Sequence, residues 1–186
     1  HAADSSFPSD HLTLWWAVAF SLVLQRVPRI AGAALALLGV PIAWARIYLP
    51  YGGGEDSRRL IPSLMAALTG ARPPFGVNRG ARRDFLHAAD VAGAFIALLT
   101  AGTGVYNIAS GEGVAVEDVV RELAAILNAD PAAILALDSA RPGDPAVLVG
   151  DNSKLRALGW KQTLPLAAGL RRAVTEIAPG LVGTGR

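Results

Sequence analysis

Arg83 and Arg141 are the residues of this sequence best suited to chemistry with an anion. Arg83 follows a loop, and Arg141 opens the run Arg141-Pro142-Gly143-Asp144, whose proline and glycine exclude regular structure. Two loop arginines at one end of an α/β unit can grip a diphosphate through bidentate hydrogen bonds. The competing reading is an ordinary surface ion pair, Arg83 with Asp84 or Arg141 with Asp144. Phe75, framed by Pro73-Pro74 and Gly76, is an aromatic on a stiff loop. It is equally suited to stacking on a nucleobase and to filling a core gap beneath the loop. Leu60 and Ile61, near the start of a helix expected from Ser57, would wall the same pocket.

Other chemistries are excluded by residues that are not there. The chain has no cysteine, which removes disulfides, thiolate metal sites and cysteine nucleophiles. No strand is followed by G-x-G-x-x-G, and Gly52-Gly53-Gly54 lacks the Gly-Lys-Ser/Thr of a phosphate loop, so it reads as a flexible connection. Tyr48, Tyr51 and Tyr106 are followed four positions later by Gly52, Glu55 and Ser110, and the only lysines are Lys154 and Lys161. A Tyr-x-x-x-Lys pair, in which the lysine helps the phenol act as a base, is therefore missing.

The elements that must position these residues follow from hydrophobic spacing. Val40 to Tyr48 reads as a buried strand, Arg83 to His87 as a short strand and Val105 to Ala109 as another. Ser57 to Thr69 carries Leu60, Ile61, Leu64, Ala67 and Leu68 on one helical face. Asp90 is suited to cap a helix running to about Leu99. Val116 to Leu127 repeats apolar residues at helical spacing, with Glu117 and Asp118 in its first turn. Asn152 to Ala157 and Leu164 to Ile177 complete an alternating α/β pattern.

Composition divides the chain further. Of its 186 residues 52% are hydrophobic and 17% charged, for a net charge of +2, so disorder is excluded and no basic stripe invites nucleic acid. No acid occurs between Asp10 and Glu55, and the apolar runs Leu12–Leu24 and Ile30–Trp44 flank Arg26 and Arg29. Neither run reaches the roughly 20 residues that span a bilayer comfortably. They fit an apolar helical hairpin with Trp15, Trp16 and Trp44 near its ends, which suggests membrane contact through residues 12–46.

Two resemblances arise from quoted residues. Ser6-Phe7-Pro8-Ser9-Asp10-His11-Leu12-Thr13 and Trp44-Ala45-Arg46-Ile47-Tyr48-Leu49 resemble two signatures of the type-2 phosphatidic acid phosphatase superfamily, in its undecaprenyl-diphosphatase branch. The resemblance implies phosphate contacts from Ser9 and Arg46 and a proton donor in His11. The position of the family's nucleophilic histidine holds Gly52, so no phosphohistidine can form.

The second resemblance is to the C-terminal part of extended short-chain dehydrogenases/reductases, the nucleotide-sugar epimerase/dehydratase family. It rests on Arg46-Ile47-Tyr48-Leu49-Pro50-Tyr51-Gly52, Arg83-Asp84-Phe85-Leu86-His87-Ala88-Ala89-Asp90-Val91-Ala92, Val105-Tyr106-Asn107-Ile108-Ala109-Ser110-Gly111, Arg141-Pro142-Gly143-Asp144 and Leu158-Gly159-Trp160. This resemblance implies that Arg83 and Arg141 contact the diphosphate of a nucleotide sugar and that Phe75 stacks on its base. It implies NAD(P) as cofactor, although this chain alone carries no motif to bind it. Leu49 stands where many members carry a substrate-facing asparagine.

The expected fold class is α/β, the C-terminal part of an extended short-chain dehydrogenase fold, preceded by an apolar helical hairpin. The expected division is residues 1–39 as a phosphatase-like piece, 40–178 as the substrate-binding region and 179–186 as a tail, with a join between Ile30 and Val40. The chain thus reads as a hybrid of two incomplete units. A nucleotide sugar is the expected partner of the second, in the cytoplasm, without metal or nucleic acid.

Overall fold

Strands β1 (Ala43–Ile47) and β5 (Gly104–Ile108) run parallel, with Ala43 opposite Gly104 and Ile47 opposite Ile108. Parallel neighbours need a crossover, and helix α2 (Ala88–Ala101), immediately before β5, supplies it. The structure is a computed structural model that describes residues 43–101, 103–140 and 142–179. A compact unit begins at Ala43. The expected apolar hairpin lies outside the described residues. Among the described residues no helix is long and apolar enough to cross a membrane.

Two smaller sheets complete the β structure. β2 (Leu49–Tyr51) pairs parallel with β4 (Phe85–His87). β3 (Arg82–Arg83) lies between β6 (Val114–Ala115), to which it is antiparallel, and β7 (Val147–Leu148), to which it is parallel. The single strand expected over Arg83–His87 is therefore two strands in different sheets. Asp84 is the break. Its carboxylate is fully buried and accepts hydrogen bonds from the backbone N–H and hydroxyl of Ser110 and from the N–H groups of Gly111 and Gly150, at 2.7–3.1 Å. A buried carboxylate needs such donors, and these lie on two other segments, so the chain turns at Asp84 to reach them.

The strand expected to be buried over Val40–Tyr48 also differs. β1 spans Ala43–Ile47, and Trp44 and Ile47 are each 44% exposed. Among the described residues it pairs only with β5, which leaves its apolar side chains partly uncovered.

Three helices close the larger core: α1 (Leu60–Leu68), α3 (Val116–Leu127) and α6 (Leu166–Ile177). They bury Ile61 and Leu64, Val119, Val120 and Leu123, and Leu170 and Val174 against Tyr51 and Phe85. α3 has the bounds that its periodicity predicts, and it ends where Asn128 takes a left-handed backbone with φ of 51°. α1 starts three residues later than expected. Ser57–Arg59 belongs to a turn, in which Asp56 accepts from Arg58 and Ser57 accepts from the Ser63 hydroxyl.

The second core packs α2 on the β1–β5 pair through Leu86, Val91, Leu98, Tyr106 and Ile108, together with Leu155 of α5 (Ser153–Arg156) and Trp160. Asp90 does not cap α2 as expected. Its carboxylate accepts from the N–H and hydroxyl of Thr163 and from Leu164 N–H. The capping acceptor is instead His87 Nδ1, 3.1 Å from the Ala89 N–H. α4 (Ala132–Leu135) is a single turn beside α3.

Candidate functional site

A cavity of about 520 Å³ opens where α1, β3 and the start of α3 converge. Leu60 reaches it from the first turn of α1, Phe75 from the proline-framed loop and Arg83 from β3. Three of the sequence-predicted binding residues are thus brought together. The fourth region also arrives: Pro142, Gly143 and Asp144, directly after Arg141, form the opposite rim. Arg141 itself lies outside the described residues. Ile61 does not line the cavity. It follows Leu60 by one helical step, which turns its side chain into the core at 1% exposure.

Arg83 is buried and tightly held. Its Nη1 donates to the carbonyls of Arg82 and Pro145 at 3.0 and 2.8 Å, and its Nη2 donates to Asp144 Oδ1 at 2.6 Å. Neither ion pair considered from the sequence is the one formed by Arg83, because Asp84 points away into its backbone donors and Asp144 comes across instead. Asp144 Oδ2 also accepts from Asn78 Nδ2 at 2.9 Å, which links the two rims. Phe75 packs against the larger core and also lines the cavity. The Arg72 guanidinium lies 4.8 Å from its ring centroid. Leu49 faces the cavity too, so an apolar side chain stands at this wall.

Asn78 and Asp144 were not singled out as binding residues by sequence reasoning. Asp144 was visible only as a neighbour of Arg141, and Asn78 only as a loop residue. Their partnership joins positions far apart in the chain.

A second cavity of about 300 Å³ follows β2. Its floor is the Gly52–Gly54 turn, which is no loose connection: Gly53 N–H donates to Glu176 Oε2 of α6 at 2.8 Å. Gly52, with φ of 138°, passes so close to His87 that an added Cβ would lie 3.1 Å from Nε2. Burial raises the Glu55 carboxyl above its usual range, offset in part by Arg59 at 2.9 Å. Arg58 holds exposed Asp56 down at about 2. Burial pushes the Tyr51 phenol well above its ordinary value, so it stays protonated.

The Gly52–Gly54 turn at the second cavity is not a phosphate loop: its central N–H is spent on Glu176, and the acids that follow, Glu55 and Asp56, are paired with Arg59 and Arg58. The phosphatase-like residues are not assembled in the described part either. Ser9 and His11 lie outside it, and Arg46 stands exposed on β1 opposite Asn107.

The α/β unit with its parallel strand pairs is similar to the fold of the extended short-chain dehydrogenases/reductases. The sequence profile of GDP-mannose 4,6 dehydratase matches residues 46–173, and the chain belongs to that family. It is 30% identical over 139 residues to the trifunctional UDP-glucose 4,6-dehydratase/UDP-4-keto-6-deoxy-D-glucose 3,5-epimerase/UDP-4-keto-L-rhamnose-reductase of Arabidopsis thaliana, covering 73% of this chain and 21% of that protein. The structure of MoeE5 in complex with UDP-glucuronic acid and NAD is similar, with a TM-score of 0.65 and 27% identity over 74% of this chain and 47% of that one. A further similarity is to the putative undecaprenyl-diphosphatase YbjG of Escherichia coli, 46% identical over 71 residues, which cover 38% of this chain and 33% of that protein. The chain thus spans about a fifth of the plant relative and just under half of the solved relative.

Proposed function

We propose that residues 40–178 form the substrate-binding portion of an NAD(P)-dependent nucleotide-sugar epimerase, dehydratase or reductase. The observation that carries this reading is the convergence of Leu60, Phe75 and Arg83 on one cavity, with the loop of Arg141 at its rim. In this reading Arg83 and Arg141 hold the diphosphate and Phe75 stacks on the base, while Leu60 walls the nucleoside. A planar, permanently charged guanidinium suits the oxygen pairs of a diphosphate. Calorimetry with UDP-, GDP- and dTDP-sugars tests it. At least one ligand binds the chain, and replacing Arg83 and Arg141 together with alanine abolishes the heat. Absence of heat with all three classes counts against the reading.

The chain by itself does not turn a nucleotide sugar over. Hydride chemistry in this family requires NAD(P), and the sequence carries no glycine fingerprint to bind it. The sequence also supplies no Tyr-x-x-x-Lys pair to move the proton. Its own residues bind and orient the substrate, and the reacting groups must come from another part of the enzyme.

A second reading, that the N-terminal part derives from a membrane lipid-diphosphate phosphatase and makes the chain a hybrid, is favoured by the 71-residue similarity. Ser9, His11 and Arg46 would be its remnant phosphate site. With Gly52 at the nucleophile's position, phosphate release from a lipid diphosphate is expected to be nil.

A further inference from the structure

We propose that Arg72 is a positioning residue: anchored on Ser63 of α1, its guanidinium holds the ring of Phe75 at the cavity wall. The inference rests on the reading of this cavity as a nucleoside-diphosphate site and adds to it the residue that keeps the aromatic wall in place.

The two sides of the Phe75 loop are restrained differently. After Phe75 the backbone is tied to the segment opposite: Val77 N–H donates to the Leu137 carbonyl at 3.4 Å, and Ser139 N–H donates to the Val77 carbonyl at 3.1 Å. Gly76 lets these segments close in, since a Cβ there would lie 2.9 Å from that of Ser139. Before Phe75 the last backbone anchor is the Arg72 N–H, which donates to the Ala66 carbonyl at 3.1 Å. Pro73 and Pro74, which have no N–H to donate, separate that anchor from the ring. The further restraint on this side comes from a side chain.

Arg72 supplies it. Its guanidinium carbon lies over the Phe75 ring, 4.8 Å from the centroid and within the range of cation–π attraction. Its Nη1 donates to Ser63 Oγ at 2.9 Å. That hydroxyl has a single proton, which it donates to the Ser57 carbonyl at 3.1 Å, so towards Arg72 it can only accept. Ser63 is buried in α1, a fixed post for the guanidinium. Phe75 lines the cavity and Arg72 does not, so the cation backs the ring from outside and leaves the cavity side open.

The alternative is that Arg72 is a surface residue whose contact with Phe75 has no consequence for the cavity. A ring already held in place loses less freedom when a base docks on it, so the two cases differ in binding. Calorimetry on the full chain with UDP, GDP, dTDP and inorganic diphosphate separates them. Arg72→Ala is expected to weaken the preferred nucleoside diphosphate about threefold and to leave inorganic diphosphate unchanged. In a Phe75→Leu background the same substitution is expected to add no further loss. Unchanged nucleoside-diphosphate binding in R72A overturns the proposal, as does an equal loss for inorganic diphosphate or a loss that persists beside F75L.

Nuclear magnetic resonance of the chain without ligand reads the contact directly. Protons on Arg72 Cδ and Nε, lying over an aromatic ring, are shifted upfield by its ring current. These shifts are expected to vanish in F75L and to shrink in Ser63→Ala, which removes the anchor. Arg72 resonances that stay unchanged in either variant overturn the proposal. The nucleotide reading fails separately: if no nucleoside diphosphate binds the unmodified chain more tightly than inorganic diphosphate, the base assignment falls, and the Arg72 resonances alone decide whether Arg72 holds the ring.

Discussion

His87 Nε2 lies 3.5 Å from Glu176 Oε2, close enough for attraction yet not aligned to bond. The other ring nitrogen fixes the proton. Because Nδ1 accepts from Ala89 N–H, the neutral ring carries its hydrogen on Nε2, buried and without a hydrogen-bond partner. Glu176 is already engaged, accepting from Arg172 at 2.7 Å and from Gly53 N–H. The pair links the turn after β2, the start of α2 and the end of α6.

Acidification is therefore expected to weaken the fold through His87. Burial lowers its pKa below the ordinary 6.5, with Glu176 opposing and Arg172 reinforcing that shift. The unfolded chain then binds more protons than the folded one below pH 6.5, so stability is full above that value, declines as pH falls from it and levels off below the folded pKa. Protonation also removes the acceptor that caps α2. Glu176, held below 4.5 chiefly by Arg172, keeps its contribution until the solution is more acidic still. Urea unfolding at pH 7 and pH 5 is expected to show lower stability at pH 5 in the unmodified chain, and a smaller difference in His87→Asn. Equal pH sensitivity in both would rule His87 out as the source.

Asp84 is expected to be the most costly polar residue to remove. Asp84→Ala would leave the N–H groups of Ser110, Gly111 and Gly150 buried without their acceptor. Each such loss costs about 1–3 kcal/mol, so the variant should lose several kcal/mol or fail to fold. Asp84→Asn, which retains one acceptor oxygen, should fall between. Thermal unfolding followed by circular dichroism ranks the three chains, and an alanine variant as stable as the unmodified one would refute the role.

That prediction marks the limit of what the sequence shows. The elements with strong local signals are legible: α3 has its expected bounds, and Leu60, Phe75 and Arg83 line one cavity. What was hidden depends on partners distant in sequence. The apolar pattern of Phe85–His87 continues from Arg83 without a visible break, so nothing local reveals that Asp84 turns the chain between two sheets. Likewise an Asp beside Pro142 and Gly143 looks like a turn former, and only the tertiary fold brings it onto Arg83 and Asn78. Asp90 satisfies every local rule for a cap, yet Thr163 and Leu164 claim it.

Arg83→Lys should expose the value of the guanidinium fork. An ammonium keeps the charge but cannot donate to two carbonyls and a carboxylate in one plane as Arg83 does. Nucleoside-diphosphate affinity is expected to fall about tenfold or more in R83K, nearly as far as in R83A. Calorimetry at fixed ionic strength checks this, and retention of most of the affinity by lysine would mean that charge alone matters.

Phe75 remains suited to two roles, and one substitution separates them. Phe75→Leu preserves an apolar side chain against the larger core, which Phe75 joins without being fully buried, so the cost in stability should stay under about 1.5 kcal/mol. A leucine has no π face, however, and stacking on a base contributes about 1–3 kcal/mol. If Phe75 stacks, F75L weakens a nucleoside diphosphate at least about fivefold. It leaves inorganic diphosphate unaffected, because Arg83 is untouched. If Phe75 serves only the core, both ligands respond alike and little.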